Sequence, residues 1–233
     1  MNNDLEQRYR AVRGRIAEAA HSLQATPPLL LAVSKKHSSA AIRTLYMLGQ
    51  RDFGESYWQE AETKMQALED LDLVWHFIGP IQSNKTRPIA EHFHWVHSVE
   101  REKIARRLSE QRPDHLPPLN LCLQVNIDQE ASKSGVLPEA VLPLAQAIQG
   151  LPKIRLRGLM CIPRRREDPV QRRASFHHLA ELGRALARAG MPIDTLSMGM
   201  SDDLEAAIAE GSTILRIGTA LFGERQKTVT NPS

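Results

Sequence analysis

Two adjacent lysines, Lys35 and Lys36, come directly after an apolar run that ends at Ser34. An amine at the end of a buried strand is partly desolvated, which lowers its pKa and favours the neutral, nucleophilic form. Such an amine can form an imine with an aldehyde. Because side chains alternate along a strand, Lys35 is predicted to share one side with Leu31 and Val33. A lysine that ends a strand and extends into water is the common alternative.

A second group of candidate residues lies near the other end of the chain. Ser201 stands where a helix N-cap is expected, with acidic residues in the following turn. Gly218 would let the backbone approach an anion closely, and the hydroxyls of Ser201 and Thr219 can donate to it. Arg216 adds a fixed positive charge. These residues predict a phosphate site, although Ser201 could be only a cap and Gly218 only a turn.

The lysine and the phosphate candidates can meet only if strands far apart in the sequence lie side by side. Short apolar runs alternate with helical patterns along the whole chain. The predicted strands span Leu29–Ser34, Asp52–Gly54, Val74–Ile78, His94–Ser98, Asn120–Ile127, Arg155–Ile162, Ile193–Met198 and Thr213–Ile217. The predicted helices span Leu5–Leu23, Ser38–Gly49, Tyr57–Glu69, Ser83–His92, Arg101–Gln111, Pro138–Gln149, Val170–Arg188 and Asp202–Glu210, with at most a short helix after the last strand.

Eight strands that alternate with helices predict an α/β fold, a (β/α)8 TIM barrel with an extra N-terminal helix. A doubly wound sheet is the alternative, but the glycine-rich fingerprint expected for its dinucleotide site does not follow Ser34. We expect a single domain over 1–233, with the barrel at about 27–225 and a tail at 226–233. Barrels frequently bind phosphate after strands seven and eight, on the face where the first strand also ends. A lysine facing a phosphate site suggests a phosphorylated aldehyde, of which pyridoxal 5′-phosphate (PLP) is the common one.

Several strings of residues resemble the pyridoxal phosphate homeostasis protein family, which is similar to the N-terminal barrel of alanine racemase. The resemblance runs from about Leu31 to Arg225, and the string WHFIGPIQSNK at 75–85 is its most specific part. The other strings are Leu31-Ala32-Val33-Ser34-Lys35, Phe53-Gly54-Glu55, Ser132-Lys133-Ser134-Gly135, Arg157-Gly158-Leu159-Met160, Met200-Ser201-Asp202-Asp203 and Arg216-Ile217-Gly218-Thr219.

The resemblance implies that Lys35 carries PLP as a Schiff base. It also implies that Arg216 faces the pyridine nitrogen, which would keep that nitrogen unprotonated and make the ring a weaker electron sink. The remaining cofactor-binding residues that it implies are Ser56, His76, Met160, Met200, Ser201, Gly218 and Thr219.

Two positions depart from the family pattern. Ser56 stands where the family usually has asparagine, so a contact to the ring could be replaced by water. The family often has a lysine and a proline soon after the Schiff-base lysine, whereas this chain has Lys36, His37 and Ser38. His37 could replace the second lysine with a pH-dependent charge, or could have no role.

The resemblance implies a role in PLP (vitamin B6) homeostasis that affects amino-acid and keto-acid metabolism indirectly. A racemase needs a base on each face of its substrate. The chain ends soon after Gly223, without the second domain that brings the second base in two-domain relatives, and Tyr46 and Tyr57 lie in predicted helices. We therefore expect no catalytic residues, and an active racemase-like PLP enzyme is the alternative.

Composition limits the remaining possibilities. The formal charge of +3 over 233 residues does not indicate a nucleic-acid-binding protein. The basic stretch Arg164–Arg173 is predicted to be a solvated loop, and a surface that binds an anionic partner is the alternative. Cys122 and Cys161 lie in apolar runs, which indicates buried thiols in a reducing compartment. With no signal peptide or spanning segment, a mean hydropathy of −0.36 and no metal motif, we expect a cytoplasmic monomer. Its expected partners are PLP, related B6 vitamers and apo PLP-dependent enzymes.

Overall fold

The computed structural model describes residues 3–164 and 166–223. The predicted tail at 226–233 lies outside these residues. The strands are β1 Leu29–Val33, β2 Asp52–Glu55, β3 Val74–Phe77, β4 Trp95–Val99, β5 Leu119–Val125, β6 Ile154–Cys161, β7 Thr195–Ser197 and β8 Ile214–Ile217. The helices are α1 Asn3–Ser22, α2 Ser39–Met47, α3 Trp58–Ala67, α4 Thr86–His92, α5 Glu102–Gln111, α6 Val141–Ile148, α7 Pro169–Arg188, α8 Leu204–Ala209 and α9 Thr219–Phe222.

The eight strands pair in parallel and in sequence order, and β1 also pairs with β8. Leu29 lies opposite Ile214, and Ala32 lies opposite Ile217. This pairing closes the sheet, so the predicted (β/α)8 barrel is confirmed. It also brings the end of β1, where Lys35 follows, next to the end of β8.

Local sequence explains where the helices begin and end. Ser38 caps α2, its side chain accepting a hydrogen bond from the Ala41 N–H, and Gly49 follows the helix with φ +98°. This left-handed conformation is one that glycine adopts without a steric cost. Pro88 lies in the first turn of α4, where the missing N–H would have no acceptor within the helix. The proline therefore does not interrupt the predicted helix.

The apolar core lies between the outer face of the barrel and the surrounding helices. The extra N-terminal helix, α1, buries Leu5, Tyr9, Val12 and Ile16 and packs against α8 and α9. The helix at one end of the chain therefore covers the helices at the other end. No helix within residues 3–164 and 166–223 has the length and apolar content needed to cross a membrane.

The segment after β7 differs from the prediction. The helix α8 begins at Leu204, and its N-cap is Asp203, so the predicted cap at Ser201 is wrong. The physical reason is a tight turn in which the Met200 N–H donates to Asp203 Oδ1 at 2.6 Å. Residues 201–203 therefore form a turn, and the Ser201 hydroxyl makes a different contact.

Candidate functional site

A cavity of about 230 Å³ opens at the C-terminal ends of β1 and β8. This volume is slightly below the range of about 300–1,000 Å³ for pockets that hold drug-sized ligands, so the cavity suits a small molecule. Its lining residues are Val33, Lys35, His37, Ile78, Ile162, Met200, Ser201, Asp202, Arg216, Gly218, Thr219 and Gly223. Six predicted site residues are among them: Lys35, Met200, Ser201, Arg216, Gly218 and Thr219.

The turn after β1 directs Lys35 to this cavity. Lys36 is not among the lining residues, and its backbone has φ +66°, a left-handed conformation that is uncommon for residues other than glycine. The Lys36 N–H donates to Glu60 Oε1, which fixes the turn from the side of α3. Val33, on the same predicted side of β1, also lines the cavity, so the placement of Lys35 agrees with the predicted alternation.

A buried ionic cluster lies beneath the turn. Lys64 Nζ is 2.7 Å from Glu55 Oε1 and 2.6 Å from Glu60 Oε1, and it donates to the Ser34 carbonyl at 2.7 Å. Ser34 Oγ donates to the same Glu55 oxygen at 2.6 Å. Burial raises the pKa of Glu55, and the charge and hydrogen bond of Lys64 oppose that rise. This cluster ties the residue before Lys35 to β2 and α3.

The hydroxyl-bearing side of the cavity joins the β7–α8 turn to the start of α9. Ser201 Oγ accepts from the Ala220 N–H at 3.2 Å, so its own proton is available for another acceptor. Gly218 has φ −116°, and an added Cβ would lie 3.5 Å from Val33, which is ordinary contact. The fold itself does not require glycine at 218, so the missing side chain chiefly leaves room in the cavity.

The N-terminal helix braces this turn from outside. The Arg15 guanidinium donates to the Ser201 carbonyl at 3.3 Å and pairs with Glu205 at 2.8 Å. The turn that presents the Ser201 hydroxyl is thus held by a side chain that lies 186 residues earlier in the sequence.

Arg216 is a buried cation on the inner side of β8. Its Nη1 donates to the Ser197 carbonyl at 2.5 Å and to Ser197 Oγ at 2.8 Å, and its Nη2 donates to the Cys161 carbonyl at 2.7 Å. Burial lowers its pKa from the ordinary value, but an arginine remains protonated in proteins. Its hydrogen-bond acceptors among the described residues are neutral groups, so this part of the cavity keeps a positive charge.

A line of hydrogen bonds leads away from Arg216 across the inside of the barrel. Ser197 Oγ is 2.8 Å from His97 Nδ1, His97 Nε2 is 2.9 Å from His76 Nδ1, and His76 Nε2 is 3.0 Å from Asp52 Oδ1. Because β4 and β7 are not neighbours, the bond between His97 and Ser197 crosses the interior. Burial lowers the pKa of both histidines, which favours their neutral forms.

Three predicted site residues do not line the cavity. His76 belongs to the interior line of hydrogen bonds, and Met160 is fully buried on β6, beside Ser197 of β7. The backbone of Ser56 lies so close to Gly79 that a Cβ on Gly79 would be 2.0 Å from the Ser56 carbonyl oxygen. Whether these three residues act on a cofactor stays a prediction.

The sequence did not single out several residues that the fold brings to the site. His37 was noted only as a departure from the family pattern, yet it lines the cavity and stacks on Phe222 with ring centroids 4.4 Å apart. Ser197 and His97 lie within two of the predicted strands and were not among the predicted site residues. A histidine or serine inside an otherwise apolar strand was the available signal.

The basic stretch is largely occupied by contacts within the protein. Arg166 pairs with Asp128 at 3.1 Å, Arg173 pairs with Glu210 at 2.5 Å, and Arg172 donates to backbone carbonyls. Residue 165 lies outside the described part of the chain. The described arginines do not form a surface of unpaired cations, but Arg172 and Arg173 lie in α7, so the loop prediction is wrong from Pro169 onward.

Comparison with known proteins agrees with this geometry. Residues 8–226 match the family described as alanine racemase, N-terminal domain. A pyridoxal phosphate homeostasis protein of Pseudomonas aeruginosa is 60% identical over 216 residues, which cover 92% of this chain and 93% of that protein. One of Escherichia coli K12 is 47% identical over 228 residues, covering 96% and 97%.

A solved structure extends the comparison to three dimensions. PipY of Synechococcus elongatus, with PLP bound, superposes with a TM-score of 0.79 at 39% sequence identity. The superposition covers 89% of this chain and 100% of PipY. The shared fold therefore includes the whole of a protein whose structure contains PLP.

Proposed function

This chain belongs to the pyridoxal phosphate homeostasis protein family, and from that membership we propose that its cavity binds PLP covalently through Lys35. One observation carries the proposal: an amine, two hydroxyls and a buried guanidinium line the same small cavity. An amine can bind an aldehyde, hydroxyls can donate to a phosphate, and a guanidinium can donate to a ring nitrogen. PLP has an aldehyde, a phosphate and a ring nitrogen, which is one partner for each of these groups.

Each group has a distinct role in the proposal. Lys35 Nζ forms the Schiff base with the aldehyde carbon. Ser201 and Thr219 donate to the phosphate, and Gly218 leaves room for it. Arg216 donates to the pyridine nitrogen and keeps that nitrogen unprotonated. The bound ring would supply an electrophilic imine, but it would be a weak electron sink for further chemistry.

The proposed role is to hold and release the cofactor within the cell's PLP pool, with indirect effects on amino-acid and keto-acid metabolism. A racemase needs a second base opposite its lysine. Neither Tyr46, which lies under the Arg51 guanidinium, nor Tyr57, which precedes α3, lines the cavity. This placement favours binding over racemase-like turnover.

Reduction with borohydride, followed by peptide mass analysis, tests the attachment site. PLP-loaded protein should carry the reduced pyridoxyl group on Lys35. Lys35→Ala should lose both this adduct and the visible absorbance of the imine, whereas Lys36→Ala should keep both. An adduct on Lys36 in the native protein would refute the assignment.

Transfer kinetics test the proposed delivery to apo-enzymes. Loaded protein is mixed with an apo PLP-dependent enzyme, with and without a reagent that traps free aldehyde. Reactivation that persists in the presence of the trap indicates direct transfer, and reactivation that the trap abolishes indicates buffering through free PLP. Robust racemase turnover by the loaded protein alone would instead establish the enzymatic alternative.

A further inference from the structure

In the interior line of hydrogen bonds from Arg216 to Asp52, the choice of donor and acceptor in one bond fixes the donor and acceptor in the next. An ionised carboxylate only accepts, so Asp52 Oδ1 requires the proton of neutral His76 on Nε2. His76 Nδ1 then accepts, which places the proton of neutral His97 on Nε2. His97 Nδ1 in turn accepts from the Ser197 hydroxyl.

The last hydrogen bond in this line joins Ser197 to Arg216, which lines the cavity. With its proton directed at His97, Ser197 Oγ can accept only through its lone pairs, and Arg216 Nη1 donates to it at 2.8 Å. If the Ser197 proton instead pointed at the guanidinium, two donors would face each other. The tautomers of the two histidines therefore direct the Ser197 proton away from Arg216 and leave an Oγ lone pair for Nη1, in addition to the Ser197 and Cys161 carbonyls.

The packing around the line holds its rings in place. His76 stacks on Trp95 at 5.6 Å with an angle of 5° between the rings, and the Arg157 guanidinium lies 4.8 Å from the Trp95 ring on β4. His76 and His97 are fully buried, whereas the Asp52 side chain is 19% exposed at the start of β2. The line therefore begins at a partly exposed carboxylate and ends at the cavity.

Arg216 keeps donors for a ligand. An arginine carries five N–H groups, and the described contacts of Arg216 use two on Nη1 and one on Nη2. The Nε–H and one Nη2–H remain for an acceptor in the cavity. Because the other donors are tied to Ser197 and Cys161, the guanidinium cannot turn without breaking those bonds.

We propose that Ser197, His97, His76 and Asp52 are positioning residues that aim Arg216 at the ring nitrogen of bound PLP, so that this protein selects a ring with an acceptor there. The inference rests on the proposed function and deepens it. The four residues act through Arg216 and do not touch the ligand. A purely structural role would stabilise the barrel and would leave discrimination between ring types unchanged.

Binding of PLP is compared with binding of 1-deaza-pyridoxal 5′-phosphate, in which a C–H replaces the ring nitrogen. Both retain the aldehyde and the phosphate. The native protein should prefer PLP by about ten- to hundred-fold, the range for a hydrogen bond to a charged group. Ser197→Ala should reduce the preference to a few-fold, chiefly by weakening PLP binding.

Two substitutions at His97 separate positioning from packing. In His97→Asn the amide oxygen can replace Nδ1 as acceptor for Ser197, so the preference should be largely retained. His97→Gln extends toward His76 and leaves the Ser197 hydroxyl without that acceptor, so the preference should fall. Ser98→Ala is the control. Ser98 is a buried serine on β4 whose hydroxyl donates to the Gly79 carbonyl, so its loss should leave the preference for PLP intact.

The outcomes separate PLP binding from the positioning role of the four residues. If the native protein binds neither aldehyde, the proposed function fails. If it binds both with equal affinity, or if Ser197→Ala and His97→Gln keep the full preference, the positioning role is overturned while PLP binding stands. If the His97 variants do not fold, the comparison of Ser197→Ala with Ser98→Ala decides the question.

Discussion

Replacing Lys64 with methionine would leave a buried carboxylate without its cation. The Lys64 side chain is 6% exposed and that of Glu55 is fully buried, and Nζ lies 2.7 Å from Glu55 Oε1. The other oxygen, Glu55 Oε2, has no hydrogen-bond partner among the described residues. Methionine has a similar length and fills the space, so the main change is the loss of charge and donors.

The expected loss of stability is large. Breaking a buried ion pair by removing one partner costs about 3–5 kcal/mol. A native protein is stable by only about 5–15 kcal/mol, so the variant would lose a substantial fraction of its free energy of unfolding. At about 2–4 °C per kcal/mol for a chain of this size, Tm should fall by roughly 6–20 °C.

The pH dependence of the stability lost in Lys64→Met shows whether the charge of Glu55 causes the loss. Burial already raises the pKa of Glu55, and removing Lys64 removes a contribution that lowers it, so the pKa rises further. The folded state then binds a proton that the unfolded state releases, so stability falls as pH rises through the folded pKa. The loss caused by Lys64→Met should therefore shrink in acid and reach its full size above that pKa.

Urea and thermal unfolding at several pH values measure this effect. Lys103→Met, at an exposed position on α5, is the matched control and should change stability by less than about 0.5 kcal/mol. Adding Glu55→Gln to Lys64→Met should recover part of the loss, because the stranded charge disappears. A loss below about 1 kcal/mol, or one that does not vary with pH, would refute the account of a buried ion pair.

The other predictions concern glycine geometry, thiol reactivity and the N-terminal brace. Gly199→Ala should lower the free energy of unfolding in urea by about 2–5 kcal/mol, because φ is +94° and an added methyl would lie 2.5 Å from a core side chain. Gly190→Ala is the control, at φ +81° with nothing near the added methyl, and should cost about 1–2 kcal/mol. Equal costs would show that the steric clash at Gly199 does not matter. Cys122 and Cys161 are buried with pKa values raised to about 12, so a thiol reagent at neutral pH should label them only after denaturation; rapid labelling of the folded protein would disprove their burial. Arg15→Ala should cost less than about 1 kcal/mol of stability, since its ion pair is exposed, yet it should speed PLP release severalfold, and an unchanged release rate would show that the brace does not act on the site.

Where local pattern and tertiary packing agree, the sequence is sufficient to predict the fold. The continuous apolar run predicted β1, and the alternation along it predicted that Lys35 shares a side with Val33, which also lines the cavity. The turn after β7 is different, because Ser201 and Asp203 are both good caps. The contact between Met200 and Asp203 decides between them, and the sequence alone does not reveal it.

The interior line of hydrogen bonds was beyond prediction for another reason. His97 and Ser197 are 100 residues apart, and their contact exists only because the closed barrel brings β4 and β7 to the same interior. Lys64 gives a similar lesson, since a lysine in a helix is ordinarily expected at the surface. Its burial depends on a carboxylate at the end of another element. Such pairings follow from topology, which a strand-by-strand interpretation does not supply.

The pairing of the first strand with the last has a consequence during synthesis. Lys35 leaves the ribosome early, but Ser201, Arg216 and Thr219 are among the last residues of the barrel to be made. Contacts between such distant segments form slowly, because a long loop must close first. A nascent chain therefore carries Lys35 before the cavity is complete, and a site that joins the ends of β1 and β8 can form only after β8 has been made.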